Sequence, residues 1–373
     1  MANWMLEALS SRGEVTVLTW DPPDFAEIDA YYGTSLSGKN LKTVTVAPAV
    51  RSLLTRAMVP HHLLRVHWLM RRAKQLRPGF RHCFSAFNEL DLGPPCLQYI
   101  HHPNCPPADW KSPPNPFDSR FITLVWKLYG QVCLRLSGWE LSAVQNNLTV
   151  SNSRWSGRAY QRLYSSPVHR VIHPPSLGQA PRLTERRNAF LSIGRLSRSK
   201  RWPQLVAIID RVRDLGHDVG LTLVGGRGDD NLLQEMRELK AEGRQWLEIH
   251  LDMPRDELDH LIGSHKYGIH GMIEEHYGMA VAELVLGGCL TFVHDSGGQV
   301  EIVSQPEARY RSDEDAVEKI HTVLSSEAGQ DALAAAQSVI REDITRNGFL
   351  KAFHHFLDDL EKGNLEPIDL GDA

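Results

Sequence analysis

The chain has 373 residues, 41 Lys and Arg against 45 Asp and Glu, 42% apolar residues and five cysteines. That length exceeds what one hydrophobic core usually supports, so two domains are expected. No apolar run reaches the ~18 residues of a membrane-spanning helix, and Cys83, Cys96, Cys105, Cys133 and Cys289 show neither CxxC pairing nor metal-type spacing, which argues against a disulfide framework and for a reducing, cytoplasmic compartment. The near-neutral total hides a division: residues 1–182 carry 20 basic and 11 acidic side chains, residues 183–373 carry 21 and 34.

The opening "MANWMLEALSSRG" reads as a helix with Trp4, Met5, Ala8 and Leu9 on one face, and has no basic lead of a secretory signal. Short β-rich runs follow at "EVTVLTW" (14–20), "KTVTVAP" (42–48), "HCFSAFN" (82–88), "CLQYIHH" (96–102) and "LTVSNS" (148–153). Their alternation with helical stretches predicts a parallel sheet covered by helices. A doubly wound domain normally opens with a central strand and a Gly-rich turn, so this sheet is expected to lack its first strand, with the true start upstream of Met1 or the strand lost. Arg51 to Arg81 holds eight basic residues and no acid among Leu53, Leu54, Met58, Leu63, Leu64, Trp68 and Met70. Two readings stand: a surface for an anionic membrane, or a solvated helix with a buried stripe. Nucleic acid is not expected, because aromatic interleaving is sparse. "FITLVWKLYGQVCLRLSGW", broken by Lys127 and Arg135, reads as an amphipathic helix.

The Pro- and charge-rich stretch to Asn188 marks a linker, placed at 174–188 between an N-terminal domain 1–173 and a C-terminal domain 189–345, with a last helix and tail at 346–373 expected to pack back on the first domain. In the second domain nearly all-apolar strands are expected at "AFLSIGR" (189–195), "VGLTLVGG" (219–226), "WLEIHLD" (246–252), "YGIHGM" (267–272) and "LTFVHDS" (290–296). Ligands in such a sheet sit beyond the carboxyl ends of the strands. There stands "IGRLSRSK", where Arg195 and Lys200 either hold a diphosphate or simply face solvent. There too stands "GMIEEHYGMAVAELVLGG": Gly278 opens a helix whose free N–H groups suit an anion, Glu275 precedes it and Glu283 lies within it. The two glutamates suit sugar hydroxyls and a ribose diol, or merely the helix dipole. No GxGxxG follows a strand, which argues against a dinucleotide oxidoreductase.

Glu275 and Glu283 enclose seven residues, and "EEHYGMAVAELVLGG" resembles the E-x7-E segment of family 4 retaining glycosyltransferases, enzymes of the GT-B fold. "GRLSRSK" resembles that family's "GRLxxxKG", with Arg201 where glycine is usual, and "DSGGQVEIV" resembles its donor segment "xxGGxxEiv". "YIHHP", "VSNSRW" and "GIHGMIEEHYGMAVAE" are most similar to the Alg11-type α-1,2-mannosyltransferases, which extend lipid-linked oligosaccharides. The resemblance implies two doubly wound Rossmann-like domains facing a cleft. It implies Arg195 and Lys200 on the donor diphosphate, Glu275 on the transferred hexose and Glu283 on the ribose. Gly225, His276, Gly278, Met279, Gly297 and Gly298 would line the donor. His101 would lie near the acceptor and the anomeric carbon as a catalytic residue, with His102 the lesser choice; read from the residues alone, a histidine after a buried strand is more often structural.

The expected activity is retaining hexosyl transfer, mannose from GDP-mannose, to a glycan or lipid-linked saccharide, without cofactor or metal, by a protein peripheral to the cytoplasmic membrane face. The rivals are a UDP-sugar transferase of the same family in polysaccharide or glycolipid synthesis, and a non-catalytic nucleotide- or glycan-binding remnant.

Overall fold

The computed structural model of the chain describes residues 1–56, 62–104, 120–176, 185–338 and 342–371. Met58, the side chains of Leu53 and Leu54, Cys105 and much of the linker lie outside the described residues. The chain divides into two compact units, Met1–Ile172 with Phe349–Ala373, and His173–Gly348.

The first unit opens with α1 (Ala2–Ser10), β1 (Val15–Thr19), α2 (Phe25–Tyr32) and β2 (Leu41–Thr45). Trp4, Met5 and Ala8 bury the apolar face of α1. α2 begins where the Asp24 carboxylate accepts the Ala26 and Glu27 amides and stops at Gly33, which is left-handed at φ 65°. Then come α3 (Pro48–Arg56), α4 (His62–Leu76), β3 (Phe84–Ser85), β4 (Leu97–Ile100), α5 (Arg120–Ser137), α6 (Leu141–Gln145), β5 (Leu148–Ser151), α7 (Arg154–Tyr164) and β6 (Arg170–Val171).

The single N-terminal sheet expected from the sequence is in two pieces. β3 to β6 form a parallel sheet in chain order, and β1 and β2 form a separate parallel pair. Among the described residues no strand pairs with both β1 and β3. Side-chain packing joins the pieces instead of a hydrogen-bond ladder: Leu18 of β1 packs on the cluster of Met70, Ala73, Leu92 and Cys96. The run "HCFSAFN" keeps only two ladder residues, because Asn88 turns left-handed at φ 50° and its Oδ1 accepts the amides of His101 and His102.

The second unit holds β7 (Arg187–Ile193), α8 (Trp202–Asp214), β8 (Gly220–Gly225), α9 (Asp230–Ala241), β9 (Leu247–Leu251), α10 (Arg255–Ser264), β10 (His265–His270), α11 (Met279–Leu286), β11 (Leu290–His294), β12 (Arg309–Tyr310), α12 (Asp313–Leu324) and α13 (Glu327–Ser338). Its six strands form one sheet in the order β12-β11-β10-β7-β8-β9, every pair parallel. Phe190, Leu221, Leu223, Ile269 and Phe292 are fully buried in the core, as strands covered on both faces require. The chain winds outward from β7 through β8 to β9, then returns to β10 and winds the other way. The switch falls between β7 and β10, so the loops leaving these two strands are neighbours at the ligand-binding end of the sheet.

A last helix, α14 (Arg346–Lys362), carries the chain back to the first unit. There Phe349, Phe353 and Phe356 are buried, and Arg12 bonds to His354 and Asp358.

Candidate functional site

The loop after β7 carries Arg195 and Lys200, and the loop after β10 carries Glu275. The strands are adjacent, so these segments, 75 residues apart in the chain, meet: Lys200 Nζ donates to Glu275 Oε2 at 2.6 Å. Lys200 Nζ also lies 3.2 Å from Met272 Sδ. Glu275 Oε2 takes a second hydrogen bond from His270 Nε2 at 3.0 Å, and Oε1 accepts the His276 amide at 3.1 Å. Although burial opposes ionisation, the His270 and Lys200 contacts hold the Glu275 carboxyl well below the usual carboxylate range. Glu275 is therefore an ionised, firmly held carboxylate. Arg195 is exposed and makes no hydrogen bond among the described residues. Arg201 sits left-handed at φ 53°, which explains glycine in the family motif, and its guanidinium reaches Asp313 at 2.9 Å.

A third loop, after β11, locks the Glu275 backbone in place. The Gly298 amide donates to the Glu275 carbonyl at 2.6 Å, and Ser296 Oγ accepts the Glu274 amide at 2.8 Å. Gly297 is left-handed at φ 78°, and a Cβ there would fall 2.3 Å from the Glu275 carbonyl oxygen. Gln299, fully buried, donates from Nε2 to the carbonyls of Met272, His294 and Ser296. The motif "DSGGQ" thus acts here as a clamp on the Glu275 loop. Gly225 has a comparable packing role, since its Cβ would lie 1.9 Å from the Gly194 carbonyl oxygen.

Gly278, left-handed at φ 100°, caps α11. The first helical bond runs from Ala282 to the Gly278 carbonyl, so the amides of Met279, Ala280 and Val281 have no acceptor within the helix. Met279 is 40% exposed, whereas Glu283, one turn in, is buried. Its Oε1 accepts Arg255 Nη1 at 2.9 Å, and Arg255 Nη2 reaches Asp259 at 2.6 Å. Burial raises the Glu283 carboxyl pKa despite Arg255.

His101 belongs to the first unit. Its Nε2 lies 3.1 Å from the Ala86 carbonyl, its own carbonyl accepts from Asn152 Nδ2 and Ser156 Oγ, and its ring packs 5.0 Å from Tyr99. Burial lowers its pKa, so the imidazole is neutral. His102 is exposed. Three residues of these sites went unread in the sequence: His270, Arg255 and Gln299. The strand-end position of His270 and Arg255's place at the start of α10, after β9, were the available signals. Among the described residues no group of three or more His, Cys, Asp and Glu is arranged to hold a metal ion.

Residues 177–338 match the family model described as Glycosyl transferases group 1. Over 119 residues the chain is 30% identical to the GDP-Man:Man(3)GlcNAc(2)-PP-Dol alpha-1,2-mannosyltransferase of Homo sapiens, a match covering 29% of this chain and 24% of that protein. The protein of the same name from Neurospora crassa is 26% identical over 48% of this chain and 39% of its own length. That from Dictyostelium discoideum is 21% identical over 66% of this chain and 55% of its own length. The chain thus spans less than two thirds of each of these relatives. In three dimensions it matches the crystal structure of Anabaena Alr3699/HepE in complex with UDP and glucose, with TM-score 0.63 at 13% identity, over 97% of this chain and 94% of that one. WaaG, a glycosyltransferase involved in lipopolysaccharide biosynthesis, matches with TM-score 0.63 at 12% identity, over 97% and 95%. These likenesses establish the GT-B fold expected from the motifs.

Proposed function

We propose that this chain, which carries a group 1 glycosyl transferase domain over residues 177–338, transfers mannose from GDP-mannose to a glycan or lipid-linked saccharide with retention of configuration. The observation that carries the proposal is the meeting of Lys200 and Glu275 at the switch point, beside the open amides of α11. Departure of a nucleoside diphosphate demands charge stabilisation on the leaving group, and Lys200, Arg195 and the α11 N-terminus are assigned that task. Glu275 takes the hexose hydroxyls and Glu283 the ribose. The C1–O bond to the diphosphate breaks, the acceptor oxygen bonds to C1 on the same face, and its proton passes to the departing phosphate oxygen. On this reading the transfer needs no metal, so chelation leaves turnover unchanged.

The choice of GDP-mannose follows the curated relatives, each bearing a GDP-mannose transferase name. Product analysis with a panel of GDP- and UDP-sugars, beside calorimetry with GDP and UDP, tests it. Transfer from UDP-sugars alone would replace the donor. Nucleotide binding without any product would leave a non-catalytic binding protein.

An anionic membrane surface as the site of the acceptor is supported by α5. Leu124, Leu128 and Val132, spaced i, i+4 and i+8, are 54, 58 and 59% exposed, and α4 and α5 contain basic residues but no acid. The described apolar residues of the basic segment, Leu63, Leu64, Trp68 and Met70, are partly or fully buried. Among the described residues the longer outward apolar stripe is therefore on α5 rather than on α4. No described helix is long and apolar enough to cross a membrane. Sedimentation with anionic vesicles should fall with salt and in Leu128→Glu, and equal binding to neutral vesicles would remove the electrostatic part.

A further inference from the structure

His270 is the last residue of β10 and is 1% exposed. Its Nε2 faces Glu275 Oε2 at 3.0 Å, the oxygen that also takes Lys200. Its carbonyl accepts the buried Tyr310 hydroxyl at 2.6 Å, which fixes the backbone behind the ring. Its Nδ1 is buried and has no partner among the described residues. This asymmetry selects the tautomer. A proton on Nδ1 would be an unsatisfied buried donor, whereas a proton on Nε2 is given to a carboxylate. Burial foremost, and then the Lys200 charge, keep the ring neutral against the pull of Glu275.

We propose that His270 is a positioning residue: its neutral Nε2–H holds the Glu275 carboxylate in register when Lys200 is drawn to the donor diphosphate. The inference rests on the transferase reading for that last event. An arriving diphosphate competes for Lys200 and repels Glu275. The donors that stay with the carboxylate are the His276 amide on Oε1 and His270 on Oε2. His270 alone comes from the rigid sheet, so it supplies the fixed reference for the carboxylate. Without it, Glu275 would keep Lys200 or turn away from the sugar; either outcome slows transfer more than it weakens donor binding.

Two measurements on the full chain test this. In protein labelled with [15N]histidine, the His270 signal, identified by its loss in His270→Gln, should report a neutral ring protonated on Nε2 from pH 7 to 8, with or without saturating GDP, and should shift in Glu275→Gln. A ring protonated on Nδ1, or charged, would overturn the proposal. In kinetics, His270→Phe should lower kcat by about tenfold or more, roughly the loss of one ~1.4 kcal/mol interaction, while donor KM changes by less than about threefold. His270→Gln, whose amide reaches the Nε2 position, should recover most of kcat, and His270→Asn, which reaches only the Nδ1 position, should not. Should His270→Phe fail to fold, His270→Leu takes its place. Full kcat without the ring, or equal rescue by both amides, would sink the positioning role. If wild-type protein transfers no sugar from any donor while the histidine signature is as stated, the hexosyltransferase reading falls and the hold on Glu275 stands.

Discussion

The two units solve the same topological problem differently. In the second, the sheet is continuous through its switch point, β7 and β10 are paired, and the loops leaving them bring Lys200 to Glu275. In the first, among the described residues, the corresponding junction between β1 and β3 has no ladder across it, and packing under α4 joins the two pieces. A paired ladder, here with one register shift between His265 and Tyr267, restrains strand ends more tightly than side-chain packing does, and a charged constellation needs placement within about 0.5 Å. Packing of Leu18 on a hydrophobic cluster sets proximity but not register. The Lys200–Glu275 pair accordingly sits in the unit with the continuous sheet.

The largest expected effect comes from the centre of the better-ordered junction. Glu275→Ala should lower transfer by about 100-fold or more, ~2.7 kcal/mol, with GDP affinity within severalfold by calorimetry; near-normal turnover would remove Glu275 from the site and with it the contrast. Next is the clamp. Gly297→Ala would push a Cβ to 2.3 Å from the Glu275 carbonyl oxygen at φ 78°, so it should destabilise the second unit by about 3 kcal/mol, from steric displacement added to left-handed strain. Gly38→Ala in the first unit meets nothing within 4 Å and should change stability by less than about 1 kcal/mol. Comparable losses for the two variants in denaturant melts would deny that the second unit is the more tightly specified. Lys200→Ala should then weaken GDP binding by about 1.5–3 kcal/mol, the range for hydrogen bonds to charged groups, and unchanged affinity would show that the diphosphate lies elsewhere.

An effect that depends on pH is shared by both units. Burial, the leading cause in each case, holds His67 in the first and His265 in the second at about 4, below the usual ~6.5 of an unfolded histidine. Between those values the unfolded chain binds protons that the folded chain does not. Stability from these groups is therefore fully present above pH ~6.5 and is lost as pH falls toward 4, at up to about 1.4 kcal/mol per pH unit for each proton. Denaturant melts of His67→Asn and His265→Asn across this window should each show a shallower slope than wild type.

Much of the second unit was legible in the sequence, because its strands are apolar on both faces and its loops carry residues of unusual type at fixed spacing. The pairing of Glu275 with Lys200 followed once the strand order was known. His270 was not legible: a histidine ending an apolar strand has the same local pattern whether it packs inertly or faces a carboxylate. Arg255 looked like any first-turn residue of α10, and its bond to Glu283 depends on how α10 and α11 pack. In the first unit, "HCFSAFN" has strand composition throughout, yet Asn88 ends it by a side-chain bond that composition does not encode. The helix α5 shows an apolar stripe whose period is the same whether the stripe is covered or bare, and only the folded chain reveals that Leu124, Leu128 and Val132 face outward.

The ammonium of Lys200 is already spoken for by Glu275 before any ligand arrives. A small anion such as inorganic phosphate would have to break that contact with only Arg195 and the first amides of α11 to draw on. A sugar nucleotide can compensate at several other points along its length. The proposed donor site should therefore favour longer molecules, which reach Lys200 and Glu283 at once, over abundant free phosphate.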